Sequence, residues 1–497
     1  MLHKCILCLG LLGAGWFCPP LQAETLNLDA YVQRVEQNNP ALAATGRACA
    51  AMAGKIKEAH AVYSPLLNAA YRLDLDRSGL NLESPIQANE IQSHAWNISL
   101  SERFATGTLI SAGYADTSLT LDLPAPYPID ATTLLSRFTA YDLKPYIRLE
   151  QSLLQELVGG MTEAGIRKSE LAAESGQYQQ LLNRQRILLD ARAAYLRLSL
   201  CRDIVNFRQE ALVRAEDILK WNEKKLQLDL VDPGDLLQAR AQHRQSALEL
   251  LNALDDEKSA CRDFNRFCNL DSETVAEEVQ SLPELLSRDL NLESLSRTGH
   301  RADVLSARAV LAGSEAAVRE SRWRLSPELT AFGLASWHGL HTDRAEAFNQ
   351  VIGAEKPAYA VGAELTLPLD FSLQAATVRG YEQEQEASAA QLRDAEIAAE
   401  TDWNKLCEQW VHAKAKLEAA REVRDLQARR VELERSKIRR GKTTTWQVVM
   451  AENDLDLATM SLHHVMFEAL MTLFQSDLYN TQPLPLDSRS ANPEVQP

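Results

Sequence analysis

The sequence predicts a mainly α-helical chain with a transmembrane β part, built as two tandem structural repeats. Three observations carry that expectation. Two long stretches, from Tyr146 to Asp232 and from Leu369 to Gln482, contain no proline and are rich in Ala, Leu, Glu, Gln, Lys and Arg, the residues that favour helix. Between them, shorter segments switch to alternation of apolar and polar residues, the period of a strand with two unlike faces. The same cues also recur in the same order. Leu26-Asn27-Leu28-Asp29 returns as Leu290-Asn291-Leu292-Glu293, 264 positions on, and Ser64-Pro65-Leu66-Leu67-Asn68-Ala69 as Ser326-Pro327-Glu328-Leu329-Thr330-Ala331, 262 positions on. Similar cues at nearly constant offset mark an internal repeat.

Taken in order, residues 1–23 read as a secretory signal peptide. Lys4 precedes an apolar run Cys5–Phe17, and the segment ends on Gln22-Ala23, with cleavage expected after Ala23. A lipoprotein signal ending at Cys18 is the alternative, disfavoured by the bulky Trp16 and Phe17 before it. Five cysteines follow the leader (Cys49, Cys201, Cys261, Cys268 and Cys407), an odd number that argues against a full disulfide framework. Buried free thiols are expected instead. Past the leader there is no unbroken run of eighteen apolar residues, so no helix is expected to cross a membrane. The net charge of −16 argues against a nucleic-acid surface.

The first repeat, 24–267, opens on a helical stretch expected over Tyr31–Val62. After Ser64-Pro65 the period becomes two. Leu67, Ala69, Tyr71, Leu73 and Leu75 alternate with Asn68, Ala70, Arg72, Asp74 and Asp76. Trp96–Ser101, Thr108–Tyr114 and Tyr146–Leu149 are further strand candidates, with strands expected within about 66–154 and a turn at Thr106-Gly107. Strands with one apolar and one polar face suit a barrel with lipid outside and water inside. That reading places Arg72, Asp74 and Asp76 toward the lumen. A long helix is expected from about Gly160 to Lys225, a tip at 226–235, and a return helix Leu236–Phe264. Asp232 is a candidate N-cap, with Pro233 at the first helical position.

Residues 268–289 read as a connector. The second repeat, 290–482, repeats the order: a helix (Ala302–Arg324), strands within about 327–369 (Leu329–Ser336 and Tyr359–Leu367), a long helix, a tip at 438–447, and a return helix through Trp446–Gln475. Trp403, Leu406, Trp410, Ala413, Leu417 and Ala420 fall at coiled-coil spacing. Gly441 supplies the helix stop. The tail 483–497, with four prolines, is expected to be disordered.

This order resembles the TolC-like outer-membrane efflux proteins over nearly all of the chain. The resemblance rests on Leu28-Asp29-Ala30 followed by Asn38-Asn39-Pro40-Ala41-Leu42, on both Ser-Pro junctions, and on the turns at 226–242 and 438–455. Family turns carry an aromatic, a Gly three residues on, and an Asp six after the Gly. Leu226, Asp229 and Asp235 stand there in the first turn, and Ile438, Gly441 and Gln447 in the second. The resemblance implies two strands per repeat and a homotrimer sharing one barrel in outer-membrane lipid. It also implies a hollow periplasmic α-barrel whose mouth meets a periplasmic adaptor protein and an inner-membrane transporter. Its function would be the exit duct of a tripartite efflux or type I secretion system, with cargo set mainly by the inner-membrane partner. The sequence departs from the pattern by offering about four strands in its first half. It also has Gln447 and Met450 where the family's best-known member has aspartates.

The first tip carries Asp229, Asp232, Gly234 and Asp235, and the second Arg439, Arg440, Gly441 and Lys442. Paired across the mouth, these charges would form a gate and adaptor-docking surface. No Gly-rich phosphate loop and no His-Glu-x-x-His occurs, and His463-His464 read as surface residues, so no enzyme, cofactor or metal is expected. Asp74 and Asp76 on one strand face read more simply as a polar row than as an acid/base pair. A periplasmic coiled-coil scaffold or tether without a pore is the alternative; it would have no need of duplicated alternating strands.

Overall fold

A computed structural model describes residues 25–77, 89–128, 134–228, 232–289, 294–440 and 442–483. The expected leader with Cys18, the 290–293 copy of the opening motif, Asp229, Gly441 and the tail beyond Pro483 lie outside the described residues.

The first helical stretch is two helices, where the periodicity suggested one over Tyr31–Val62. The side chain of Asn27 caps α1 (Leu28–Asn38) by accepting from Ala30 N at 2.7 Å. Asn39 then leaves the helix with φ −74 and ψ 119, because the ring of the following Pro40 disfavours helical backbone before it. Its Oδ1 accepts from Ala41 N at 2.9 Å and Leu42 N at 3.1 Å, which starts α2 (Pro40–His60) afresh. A short 3-10 turn, Ala61–Tyr63, leads to Ser64-Pro65 and the sheet.

The strands are β1 (Leu66–Asp76), β2 (Glu90–Arg103), β3 (Thr108–Pro128), β4 (Leu134–Ser152), β5 (Glu328–Trp337), β6 (Gly339–His341) and β7 (Pro357–Thr366). They form one antiparallel sheet in the order β1-β2-β3-β4-β5-β7, with β6 pairing β4. The inner strands run far beyond the alternating cores expected from sequence. The β2–β3 turn does fall at Thr106-Gly107, where Gly107 takes φ +78 and a Cβ would strike the carbonyl of Glu156.

Register carries one apolar face across the sheet, because residues directly opposite share a face. Leu67 stands opposite Leu100, Ala69 opposite Ile98, and Tyr71 opposite Trp96. The row continues from Ile98 to Tyr114 and from Leu100 to Ala112, then from Ala112 to Ile147. It ends with Ala335 opposite Ile147 and Tyr359 opposite Ala335. The other face of β1 holds Arg72, Asp74 and Asp76, with Arg72 Nε 2.8 Å from Asp74 Oδ1. Between β5 and β7 the chain adds a feature the sequence reading lacked. Helix α7 (Arg344–Ile352) packs on the apolar face, its Ala347 and Val351 against Gly339, and Arg344 pairs with Asp116.

The remaining helices are α3 (Gly160–Leu226), α4 (Pro233–Phe267), α5 (Leu282–Asp289), α6 (Ala302–Arg324), α8 (Phe371–Arg439) and α9 (Thr445–Ser476). The segment read as a connector therefore contains a helix, α5. The chain divides into two units. One takes the chain through Gly46, Leu182–Arg301 and everything from Glu400; the other takes Arg47–Leu181 and Ala302–Ala399, including the whole sheet.

The core of the first unit centres on Tyr31, Tyr195 and Phe264, with Tyr31 stacked on Phe264 at 4.1 Å between ring centres. Tyr195 donates to the carbonyl of Leu26 at 2.6 Å and accepts from Gln280 N at 3.0 Å, which ties the start of the chain to the connector. Leu406, Trp410, Ala413 and Leu417 are buried, so the heptad seam of α8 faces the helical core. Cys201, Cys261 and Cys268 are buried free thiols, and burial pushes Cys201 and Cys268 up to about 11. By length and composition, the stretch Thr445–Tyr479 reaches a mean hydropathy of 1.2 over eighteen residues. Its Val448, Val449, Leu462, Met466 and Leu470 are buried in this core and it carries Glu452, Asp454 and Asp456, so it is a packed core helix.

Candidate functional site

The site is the pair of helix turns joining α3 to α4 and α8 to α9, both within the first unit. In the first turn Asp232 caps α4, accepting from Gly234 N at 2.6 Å, and Asp235 follows in the first helical turn. Negative charge at both positions complements the positive end of the helix dipole. In the second turn the backbone N–H groups of Arg440 and Lys442 both bond the carbonyl of Lys437 at 3.0 Å, which closes the end of α8. Thr443 donates to Glu434 Oε2 at 3.0 Å and also meets Gln447. The three-threonine segment thus braces the turn through side chains.

The two turns are joined by a buried polar contact. Thr445 Oγ1, in the first residue of α9, donates to Asn222 Oδ1 near the end of α3 at 2.9 Å. Asn222 Nδ2 donates to the carbonyl of Ile218 at 2.9 Å. Both side chains are shielded from water, at 0% exposure for Asn222 and 1% for Thr445. A shielded amide whose two ends are both used fixes one relative position of its partners.

Further along the same helices lies an ion network that the sequence reading did not find. Arg214 of α3 bonds Glu452 of α9 at 3.0 Å, and Arg435 of α8 bonds the other oxygen of Glu452 at 2.7 Å. Asp456, one turn on, receives Arg208 of α3 at 2.8 Å, and Arg208 also reaches Glu249 of α4 at 2.6 Å. Arg214 lies 3.6 Å from Asp456. Phe207 lies beneath Arg208 and Arg214, with their guanidinium carbons 5.9 and 5.3 Å from the ring centre. Two carboxylates on α9 thus hold arginines from α3 and α8, and through Arg208 engage α4. Burial pushes the Asp456 carboxyl up to about 6 despite the two guanidinium groups beside it. Glu452 and Asp456 are spaced i, i+4, so one signal was present: two acids on one face of an otherwise apolar helix.

The expected tip charges use partners in their own turns. Arg439 donates from Nε to the carbonyl of Arg435 at 3.2 Å, and Arg440 reaches Ser436 at 3.5 Å. Among the described residues, no ion pair joins Asp232 or Asp235 to Arg439, Arg440 or Lys442. Asp229 and Gly441 lie outside the described residues. His463 is not the surface residue expected. It is half-buried, and its imidazole pKa is lowered by burial, with Asp203 opposing that shift. Its neighbour His464 is exposed and pairs with Glu468 at 3.2 Å. Among the described residues no cluster of three or more His, Cys, Asp or Glu is arranged to hold a metal ion.

The outer membrane efflux protein family model matches residues 298–466. No curated protein matches the chain. Its fold is similar to the outer membrane protein VceC from Vibrio cholerae, with a TM-score of 0.64 and 14% identity over 91% of this chain and 96% of that one. It is also similar to the CmeC outer membrane channel of Campylobacter jejuni, with a TM-score of 0.63 and 14% identity over 91% and 85% of the two chains. The open state of the MtrE outer membrane channel of Neisseria gonorrhoeae gives a TM-score of 0.62 and 12% identity over 91% and 89%. The partial match to the family model and the shared fold bear out the resemblance to the TolC-like outer-membrane efflux proteins.

Proposed function

We propose that this TolC-like outer-membrane chain is the exit duct of a tripartite efflux or type I secretion system. In this reading three copies share a membrane wall. Substrate comes from an inner-membrane transporter by way of a periplasmic adaptor that docks on the two helix turns. The observation that carries the reading is the Asn222–Thr445 contact, which draws the two turns of one protomer into a single buried joint. A plain scaffold needs no such joint, whereas a mouth that opens and closes needs its turns held in one arrangement that can be exchanged for another.

The acidic Asp232 and Asp235 and the basic Arg439, Arg440 and Lys442 are the surface we assign to adaptor docking and to pairing between protomers. Exposed pairs contribute about 0–1 kcal/mol each, so a ring of them from three copies biases the mouth by a few kcal/mol. The ion network on Glu452 and Asp456 supports each hairpin behind the mouth.

The test is planar-bilayer recording on detergent-extracted protein whose mass is measured by light scattering. Trimer mass with discrete, cation-preferring conductance steps is the expected result. A water-soluble monomer or dimer without conductance would overturn the duct and leave a coiled-coil scaffold.

A further inference from the structure

The sheet holds more strands than the resemblance implies. Two strands per repeat would make four in each chain, yet six lie along the continuous path β1-β2-β3-β4-β5-β7. The surplus is within the first repeat, where four strands precede α3. Two destinations are open to a surplus hairpin. It can stand clear of the membrane as a cell-surface ornament, or it can be part of the wall.

The register decides between them. Along β1 the apolar side chains occupy every second position from Leu67 to Leu75, a span of nine residues, which is about what a tilted strand needs to cross a bilayer. If β2 and β3 stood outside the membrane, both their faces would meet water and there would be no reason for alternation at that height. Instead Trp96, Ile98 and Leu100 of β2 stand opposite Tyr71, Ala69 and Leu67 on the same face. Ile98 and Leu100 pass without offset to Tyr114 and Ala112 of β3, and beyond them the same face turns polar, with Trp96 opposite Asp116 and Leu73 opposite His94. Trp96, Ile98 and Leu100 are each more than half exposed in the single chain. The rows Leu67–Leu100–Ala112 and Ala69–Ile98–Tyr114 are apolar across all three strands, which soluble proteins do not leave open to water, and α7 covers the neighbouring part of this face where Arg344 meets Asp116. On the opposite face, Asn97 and Ser99 lie between these side chains.

The edges point the same way. Six alternately directed strands leave β1 and β7 running in opposite directions, so β7 of one copy can pair antiparallel with β1 of the next. The two edges match in length, at 11 and 10 residues. Tyr359 and Val361 on β7 are on the same apolar face as Tyr71 on β1, so closure keeps that face continuous. An open edge is excluded from lipid, and a second copy of this chain is the occupant that satisfies both edges.

We propose that all six of these strands lie in the membrane wall, so that three copies close a barrel of eighteen strands rather than twelve. This rests on the shared-barrel reading above. Barrel diameter rises roughly in proportion to strand number, and barrels of about 16–18 strands leave an aqueous channel. The wall is then wide open, and any restriction on passage falls to the helical mouth.

The experiment is site-directed spin labelling of the full chain in lipid vesicles. Cys49 and Cys407 are replaced by alanine, and single labels are placed at Leu73 and Asp74 of β1 and at Asn97, Ile98, Ser111 and Ala112 of β2 and β3. Oxygen, which concentrates in lipid, and a water-soluble nickel chelate report the side each label faces. The expected result is oxygen-favoured collision at Leu73, Ile98 and Ala112, and nickel-favoured collision at Asp74, Asn97 and Ser111. Alternation at β1 with nickel access at every β2 and β3 site would overturn the six-strand wall and leave the duct intact. Loss of alternation at β1 as well would overturn both. Strand counting in an electron cryo-microscopy map of the wild-type complex is the independent check, with eighteen expected and twelve refuting.

Discussion

Thr445 at the start of one return helix donates a hydrogen bond to Asn222 near the end of the opposite descending helix, 2.9 Å apart and closed to water. Replacing Thr445 with valine keeps the shape and removes the donor, leaving the Asn222 amide oxygen buried without it. A buried acceptor stripped of its partner costs about 1–3 kcal/mol. Thr445→Val should therefore lower the denaturation midpoint of the helical part, while Asn222→Ala combined with Thr445→Val should cost less than the sum of the single changes. Strict additivity in a double-mutant cycle read by circular dichroism would dismiss the joint.

Glu452 is the acceptor for Arg214 and Arg435 at once. Its side chain is only 9% exposed. Glu452→Gln leaves two guanidinium groups facing an uncharged amide, and breaking one side of a buried ion pair costs about 3–5 kcal/mol. Because Arg435 is a third exposed, a loss of about 2–4 kcal/mol is expected by denaturant titration. Glu210→Gln, on an exposed side chain 3.7 Å from Arg214, is the control and should change stability by less than about 0.5 kcal/mol.

The raised carboxyl of Asp456 makes part of the stability depend on pH. In the unfolded chain Asp456 has its ordinary value near 3.8, and in the folded chain about 6. The folded state therefore binds a proton more readily, and stability from this group rises as pH falls through 6 and levels off below about 4. The full effect is on the order of 2–3 kcal/mol. Asp456→Asn should flatten the wild-type trend between pH 7.5 and 5. Parallel profiles for the two proteins would show that the carboxyl is not perturbed.

Reversing the charges at the mouth tests the docking and gating surface. Asp235→Lys and Arg440→Glu should each raise the open time in single-channel records, and the double reversal should restore closure. If neither single reversal opens the pore, the tip charges do not gate.

Thiol chemistry checks the core directly. Cys201, Cys261 and Cys268 are buried with their thiol pKa values raised, and the thiolate is the reactive form. In the folded protein at pH 7.5 only Cys49 and Cys407 should take up maleimide within minutes, and all five should react in denaturant. Mass spectrometry showing fast modification of Cys261 would refute the packing around Tyr31 and Phe264.

The long helices were legible because composition and heptad spacing act within one segment. Trp410, Ala413 and Leu417 occupy the positions that a seam requires, and they are buried. The alternation from Leu67 to Leu75 announced a strand for the same local reason. The break at Asn39 was also local, written in Asn39-Pro40, but a continuous helical pattern on both sides obscured it. Strand length was not legible. β3 and β4 continue to Pro128 and from Leu134, where alternation fades and ladder pairing between neighbours takes over. Helix α7 was hidden for a related reason: its Ala347 and Val351 have meaning only against Gly339.

The sequence by itself determined the long helices with their buried seam and the polar and apolar faces of the first strand, since each follows from nearest neighbours along the chain. Only the tertiary structure decided which residues act together. Nothing in the spacing of Arg214, Arg435 and Glu452 couples them, or Asn222 to Thr445, or Tyr71 to Trp96. Those partnerships arise when segments distant in sequence fold side by side. Burial then raises the cost of leaving a charge or an amide unsatisfied, and register sets which side chains face the same way.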